Sequence, residues 1–119
     1  MPKLSHTYAG SLVKDYPLST GVLLHIGRKP DNDICLDDLT VSGRHALISV
    51  RPSEYMENLN DIYLEDLDST NGTMVNGRVV HRYLLKHGDV IGIGTHEFTF
   101  IDENTMRFEQ TMVYVPEDS

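Results

Sequence analysis

Asp68-Ser69-Thr70-Asn71-Gly72-Thr73 is the last of three polar loops in this chain, after Gly27-Arg28-Lys29 and Ser42-Gly43-Arg44-His45. A further turn, Asn76-Gly77, follows closely. Each loop carries groups that hold phosphate, namely guanidinium, hydroxyl and amide donors and glycines that free backbone N–H groups. The order of these loops between short apolar runs predicts that they meet at one end of a β-scaffold as an anion-binding site.

The apolar runs between the loops are typical of short β-strands. Val22-Leu23-Leu24-His25-Ile26 and Ala46-Leu47-Ile48-Ser49-Val50 are the strongest candidates, and residues 96–101 alternate with a period of two. Residues 4–9 and 12–16 indicate an opening hairpin, and Asn76-Gly77 suits a two-residue primed turn. Since no segment has a convincing helical period, the pattern indicates an all-β sandwich or barrel.

Composition excludes several classes of function. The chain has 119 residues and a net charge of −8, from 10 basic and 18 acidic residues, which argues against nucleic-acid binding. No stretch approaches the ~20 apolar residues that cross a bilayer, and the N-terminus lacks the apolar core of a signal peptide. The single cysteine, Cys35, excludes an internal disulfide, and its apolar neighbours predict a buried side chain. We therefore expect a cytoplasmic protein with no membrane contact.

Five sequence blocks follow one another along the chain. They are Ile26-Gly27-Arg28, Val41-Ser42-Gly43-Arg44-His45-Ala46, Asp68-Ser69-Thr70-Asn71-Gly72-Thr73, Val75-Asn76-Gly77 and a closing Leu85-Lys86-His87-Gly88-Asp89-Val90-Ile91-Gly92-Ile93-Gly94. This pattern resembles the forkhead-associated (FHA) domain family over residues 22–101. The resemblance implies an eleven-stranded antiparallel β-sandwich whose loops bind phosphothreonine in an extended peptide. It places the FHA domain at residues 1–101 and leaves residues 102–119 as an acidic C-terminal tail or an added edge strand.

The resemblance also implies roles for individual residues. Arg28 is expected to be the main phosphate-binding guanidinium, and Ser42 a hydroxyl that donates to a phosphate oxygen. Thr70 is expected to line the site near the phosphothreonine methyl group and to contact the phosphate, and Asn71 to hold the peptide backbone. Gly27, His45 and Asn76 are expected to support the scaffold. Arg44 and Lys29 are expected to add peptide or phosphate contacts.

Gly43 departs from the family pattern, in which the residue after the serine is often Arg or Asn and helps to grip the phosphate. A glycine offers only its backbone N–H. We therefore expect weaker or differently distributed phosphate contacts here, with Arg44 as a candidate for compensation.

Other interpretations have less support from the residues. Arg28 alone could pair with Asp31 or Asp33 at the surface, and His45 alone would be a hydrogen-bonding structural histidine. Ser42 and His45 lack the nucleophile-elbow pattern of a hydrolase, and Gly92-Ile93-Gly94 is too short for a nucleotide-binding fingerprint. The histidines show no metal-ligand spacing, so we expect no metal, no cofactor and no enzyme. The remaining rival is a module of the same fold that binds an unphosphorylated partner through a sheet face.

The expected partner is a phosphothreonine-containing protein, which implies an upstream Ser/Thr protein kinase. The tail offers a ligand of its own, because Thr111 in Glu109-Gln110-Thr111-Met112-Val113-Tyr114 is followed by an apolar residue three positions later. A phosphorylated Thr111 docking in cis or in a neighbouring molecule would give self-association through the C-terminal tail.

Overall fold

The computed structural model describes residues 2–55 and 59–102, which form eleven strands in two sheets. The six-stranded sheet has the order β2-β1-β11-β10-β7-β8, with β1 Lys3–Tyr8, β2 Ser11–Pro17, β7 Thr73–Val75, β8 Arg78–Val80, β10 Val90–Ile93 and β11 His96–Ile101. The five-stranded sheet has the order β4-β3-β5-β6-β9, with β3 Leu23–Gly27, β4 Ile34–Cys35, β5 Ala46–Pro52, β6 Asn60–Asp66 and β9 Arg82–Leu84. The predicted eleven-stranded sandwich is confirmed.

The core lies between the two sheets, and alternate residues of strands such as β1, β6, β10 and β11 supply much of it. Loop residues complete it, among them Leu18, Leu36, Val41 and Leu85. Leu4, Ile91 and Phe98 supply it from the six-stranded sheet, and Ile48 and Leu64 from the other, all fully buried. Burying each such side chain stabilises the fold by about 1.5–3 kcal/mol, so the period-two pattern of the sequence determines which face of each strand turns inward.

One strand pair differs from the antiparallel prediction. β4 pairs with β3 in parallel, with Ile26 opposite Ile34 and Gly27 opposite Cys35. The β3–β4 loop carries the chain back so that β4 runs in the same direction as β3. A tight hairpin cannot do this, because it reverses the direction of the chain. Ile34 points into the core, so Cys35, its neighbour, is exposed. The prediction that Cys35 is buried was therefore wrong, because alternation along β4 outweighs the apolar character of its surroundings.

Both predicted hairpins are present. Asn76 and Gly77 have φ angles of 52° and 84°, the positive pair that a primed two-residue turn requires, and they connect β7 to β8. The opening hairpin joins β1 to β2 through Ala9 and Gly10, which also have positive φ.

β1 and β11 lie side by side, with Lys3 opposite Ile101 at one end and Tyr8 opposite His96 at the other.

No helix in residues 2–55 and 59–102 is long and apolar enough to cross a membrane. Thr111 and the rest of residues 103–119 lie outside the described residues. The proposed boundary between domain and tail therefore stays a prediction.

Candidate functional site

Three loops meet at one end of the sandwich, and backbone hydrogen bonds join the first two. These are the β3–β4 loop (residues 28–33), the β4–β5 loop (residues 36–45) and the β6–β7 loop (residues 67–72). The N–H groups of Arg28 and Lys29 donate to the carbonyls of Ser42 and Gly43, at 3.0 and 3.2 Å. The two loops that carry the predicted arginine and serine are thus held edge to edge.

The Arg28 side chain is exposed and anchored at one atom. Its Nε donates to the carbonyl of Val41 at 3.1 Å. Within the described residues it forms no ion pair, and the two carboxylates proposed as partners are engaged elsewhere: Asp31 with Arg44 and Asp33 with the backbone N–H of His25. Within the described residues, the two terminal nitrogens of the guanidinium have no hydrogen-bond partner.

Ser42 and Thr70 connect the β4–β5 loop to the β6–β7 loop. The backbone N–H of Thr70 donates to Ser42 Oγ at 3.0 Å, which uses the oxygen as an acceptor and leaves the hydroxyl proton free to be donated. Next to it, Asn71 Nδ2 donates to the carbonyl of Thr40 at 2.8 Å. The fold therefore brings Ser42, Thr70 and Asn71 together on one loop surface, beside the loop pair that carries Arg28.

His45 braces this surface from beneath. It is fully buried, its Nδ1 lies 3.1 Å from the N–H of Ser42, and its Nε2 lies 2.8 Å from the carbonyl of Gly72. Since an N–H can only donate and a carbonyl only accept, both bonds require the neutral ring with its proton on Nε2. The ring contacts the backbone of Ser42 and not its hydroxyl.

Gly27 acts through close approach. A Cβ at this position would lie 2.3 Å from the carbonyl oxygen of Gly43, a distance that no side chain tolerates. The expected supporting role therefore comes from packing between two loops and not from a turn conformation. Asn32, a buried residue that the sequence did not single out, strengthens the same junction by donating from Nδ2 to the carbonyls of Lys29 and Gly43 at 2.8 and 2.7 Å.

Lys29 covers Gly43. Three carbons of its side chain lie 3.0–3.3 Å from the position that a Cβ on Gly43 would occupy. The lysine stem thus takes the space that an Arg or Asn at position 43 would need.

Arg44 lies farther toward solvent and has a partner already. Its Nη2 is 2.7 Å from Asp31 Oδ2, in a pair whose side chains are 45% and 63% exposed. An exposed pair of this kind contributes little to stability and separates readily. Within the described residues, Asp31 is the side-chain partner of Arg44, and no hydrogen bond joins the Arg44 side chain to Ser42, Thr70 or Asn71.

The β6–β7 loop is shaped by an internal network that the sequence did not reveal. Asp66 accepts hydrogen bonds from Ser69 and from Thr73 Oγ1, and Ser69 Oγ accepts the N–H of Gly72 at 3.0 Å. Burial alone would raise the pKa of Asp66, but these hydrogen bonds outweigh it and lower that pKa. The sequence signal for this network was the spacing of Asp66 and Ser69 as Asp-x-x-Ser, which favours local hydrogen bonds from side chains to the backbone.

Asp38 is a second network residue that the sequence did not reveal. It accepts four hydrogen bonds, from the backbone N–H and hydroxyl of Thr40 and of Thr95, at 2.7–3.0 Å. Hydrogen bonds from the hydroxyls and backbone of these threonines lower the pKa of Asp38 well below its usual range. The contact fastens the β4–β5 loop to the β10–β11 turn, and its 57-residue separation explains why no local pattern pointed to it.

Asn76 lies at the far end of β7 from the loop cluster. Its Nδ2 donates to Asp89 Oδ1 at 2.9 Å and its Oδ1 accepts the N–H of Val90 at 3.0 Å, so the residue ties the β7–β8 turn to the start of β10. Within the described residues its hydrogen bonds go to Asp89 and Val90, so it supports the sheet.

Comparison with known proteins identifies relatives and solved structures of the same kind. The family model described as "FHA domain" matches residues 24–94. The glycogen accumulation regulator GarA of Mycobacterium tuberculosis is 41% identical over 75 residues, which cover 63% of this chain and 42% of that protein. The oxoglutarate dehydrogenase inhibitor of Corynebacterium jeikeium is 41% identical over 76 residues, covering 64% and 48%. This chain thus matches less than half the length of either relative.

Two solved structures extend the comparison. The FhaA FHA domain, complexed with the intracellular domain of Rv3910, superposes with a TM-score of 0.68 at 35% identity and covers 84% of this chain and 99% of that one. Mycobacterium tuberculosis EmbR, solved in complex with a low-affinity phosphopeptide, gives a TM-score of 0.66 at 36% identity and covers 84% and 24%. The sandwich, the loop pattern and the family match agree, and the chain belongs to the FHA domain family.

Proposed function

We propose that this chain is a phosphothreonine-peptide binding module, which recognises its partner through the loop cluster at one end of the sandwich. The observation that carries the proposal is the cross-linking of the three loops by the chain's own hydrogen bonds, which gathers Arg28, Ser42, Thr70 and Asn71. A site that is already ordered loses little conformational freedom on binding.

Each of these residues has a distinct chemical task. The free end of the Arg28 guanidinium and the free proton of the Ser42 hydroxyl point to phosphate binding. A phosphothreonine carries about −1.5 to −2 charges, and charge-assisted bonds are roughly twice as strong as neutral ones. One arginine with two or three neutral donors suffices for a micromolar affinity, on the order of −8 kcal/mol.

Secondary contacts complete the proposed site. The exposed side chains of Thr70 and Asn71 lie where the threonine methyl group and the peptide backbone would pass. The backbone N–H of Gly43 and the ammonium group of Lys29 are candidate phosphate donors, and Arg44 is a candidate for peptide contacts once it leaves Asp31. Gly27, His45 and Asn76 support the scaffold. Preference for threonine over serine would rest on the methyl group, which is worth about 1–3 kcal/mol.

A binding role suits these residues better than catalysis. His45 is directed at the backbone of Ser42 and at Gly72, so it is not placed to take a proton from the Ser42 hydroxyl. We therefore infer a regulatory binding protein of the cytoplasm that acts downstream of a Ser/Thr protein kinase.

The C-terminal tail is a second candidate ligand for the same site. The chain between residues 101 and 111 reaches at most about 33–36 Å, whereas β11 spans only about 17–20 Å. The connecting chain is therefore long enough for Thr111 to approach the loops of its own domain or of a neighbouring molecule. Mass measurement after kinase treatment tests this idea, and absence of phosphate on Thr111 would reject it.

The main proposal is tested by titrating the protein with a phosphothreonine peptide and with the matching threonine and phosphoserine peptides. Arg28→Ala should weaken phosphopeptide binding by about a hundredfold while thermal unfolding barely moves, because the side chain is exposed. Arg51→Ala, an exposed arginine at the opposite end of β5 from the loops, is the matched control. Equal binding of phosphorylated and unphosphorylated peptides would favour the rival module that binds through a sheet face.

A further inference from the structure

A groove of about 630 Å³ crosses the outer face of the six-stranded sheet. Its floor is Gly92, which faces outward on β10 and has no side chain. On one side Gly92 pairs with Met74, and on the other with Glu97, which in turn pairs with Thr7 of β1. These residues form a single row across four strands, and the missing side chain in the middle of the row creates the depression.

The groove continues toward the loops of the proposed binding site. A second depression of about 320 Å³ is lined by Thr40 and Asn71 of the binding loops and by the groove residues Met74, Gly92, Gly94 and Thr95. A chain that leaves Asn71 therefore has a continuous path across the sheet to β1.

The dimensions of this path correspond to an extended peptide. Asn71 precedes Met74 by three residues, at most about 10 Å of chain, and three strand spacings separate Met74 from Thr7, about 14 Å. An extended ligand advances ~3.3 Å per residue, so its first three residues beyond the phosphothreonine cover the approach and the next four lie in the groove.

The lining defines the chemistry of the occupant. Met74 is 40% exposed and offers an apolar wall, and the floor at Gly92 leaves room for an apolar side chain against it. On the other side of Gly92 from Met74, the exposed carboxylate of Glu97 is placed for a cation. A segment with an apolar residue followed by Lys or Arg would match both side chains.

We propose that this groove binds the extended flank of the same phosphorylated partner, at positions about four to seven residues from the phosphothreonine. The proposal rests on the proposed function of the loops. The contact in the groove does not involve the phosphate. It adds selectivity among partners that share the same residues next to the phosphothreonine.

The first experiment is selection from a peptide library with phosphothreonine fixed and eight randomised residues on each side. We expect enrichment of apolar residues and of Lys or Arg four to seven positions away, on one side only. Selection confined to three residues on either side would overturn the proposal. If the phosphothreonine library is not retained above the matching threonine library, the proposed function itself fails, so the two failures are distinguishable.

The second experiment compares the best selected peptide with a version cut to three residues on each side. The long peptide should bind roughly tenfold tighter, the effect of about one well-buried apolar side chain. Thr7→Tyr, which fills the groove, and Glu97→Lys, which reverses its charge, should remove that gain and change the affinity for the short peptide less than about twofold. Glu54→Lys makes the same charge change in the β5–β6 loop and should preserve the gain.

Thermal unfolding of each variant checks that the fold is intact, and Glu97→Lys is an exposed substitution that serves if Thr7→Tyr does not fold. Long and short peptides that bind equally to the unaltered protein would overturn the proposal. The same holds if the groove variants alter self-association of the protein and leave the affinity for the long peptide unchanged.

Discussion

The hydroxyl oxygen of Ser42 accepts a hydrogen bond from the backbone N–H of Thr70, 3.0 Å away and 28 residues later in the sequence. One small side chain thus has two tasks: it fixes the position of the β6–β7 loop and keeps its own proton for a ligand. Replacing it should affect loop geometry and ligand binding together.

Ser42→Ala should weaken phosphopeptide binding by roughly tenfold to a hundredfold, since it removes a bond to a charged group. Calorimetric titration measures the loss. Ser42→Thr, which keeps the hydroxyl, should restore most of the affinity. If Ser42→Ala binds as tightly as the unaltered protein, the hydroxyl does not contact the phosphate.

His45→Ala should destabilise the fold by about 2–4 kcal/mol, because it leaves a cavity and removes both buried hydrogen bonds. Urea unfolding measures the change in the free energy of unfolding. His81→Ala removes an exposed histidine and should have an effect within about 0.5 kcal/mol. Similar stability of the two variants would contradict the bracing role of His45.

Gly27→Ala and Gly92→Ala should differ sharply although the substitution is the same. At Gly27 the added methyl meets the carbonyl oxygen of Gly43 at 2.3 Å, so the backbone must shift, at a cost of about 1–3 kcal/mol. At Gly92 the nearest atom is Met74 Cβ at 3.7 Å, an ordinary contact, so stability should hardly change. Thermal unfolding of the pair provides the comparison, and equal melting temperatures would refute the close-packing account.

The four hydrogen bonds to Asp38 predict a dependence of stability on acid. Because these bonds lower the pKa of Asp38 in the folded state, the unfolded chain takes up a proton first as the pH falls. Stability from this residue is present above pH ~4 and is lost below it, where the unfolded carboxyl group titrates. Urea unfolding between pH 3 and 7 measures the slope.

Asp38→Asn should flatten that slope and lower the stability at pH 7. The neighbouring Asp37→Asn removes a charge from the same loop without removing the four bonds and should keep the slope. An unchanged slope in Asp38→Asn would show that other carboxylates dominate acid unfolding.

His6 in β1 predicts a second pH range in which the stability of the fold changes. This buried ring lies 2.8 Å from His96 and stacks on Phe98. Burial, and then the nearby His96, lower the pKa of His6, so the unfolded chain binds a proton at higher pH than the folded one does. Stability should therefore fall as the pH drops through about 6.5, and His6→Phe should remove most of that fall. An unaltered pH profile in His6→Phe would contradict this assignment.

The sequence predicted the sandwich and the identity of the loops well, because both depend on local signals. Strand alternation, Asn76-Gly77 and the order of the polar blocks are all visible within a few residues. Asp66 left only a short local spacing to Ser69 as its signal. The bonds from Asn32 to Gly43 and from Thr95 to Asp38 were not visible, since the fold brings these distant residues together. The same reason explains Cys35, whose exposure follows from the alternation of a strand only two residues long.

The pairing of Lys3 with Ile101 has a practical consequence. Both residues lie at the end of β1 and β11 away from the β10–β11 turn, about 17 Å from it along the strand, whereas that turn is bonded to the β4–β5 loop through Asp38. A host protein's surface loop joined at Lys3 and Ile101 would therefore meet the sandwich at two neighbouring strands. In such a chimera the host would lie at the end opposite the β10–β11 turn, and the three loops would remain open to solvent.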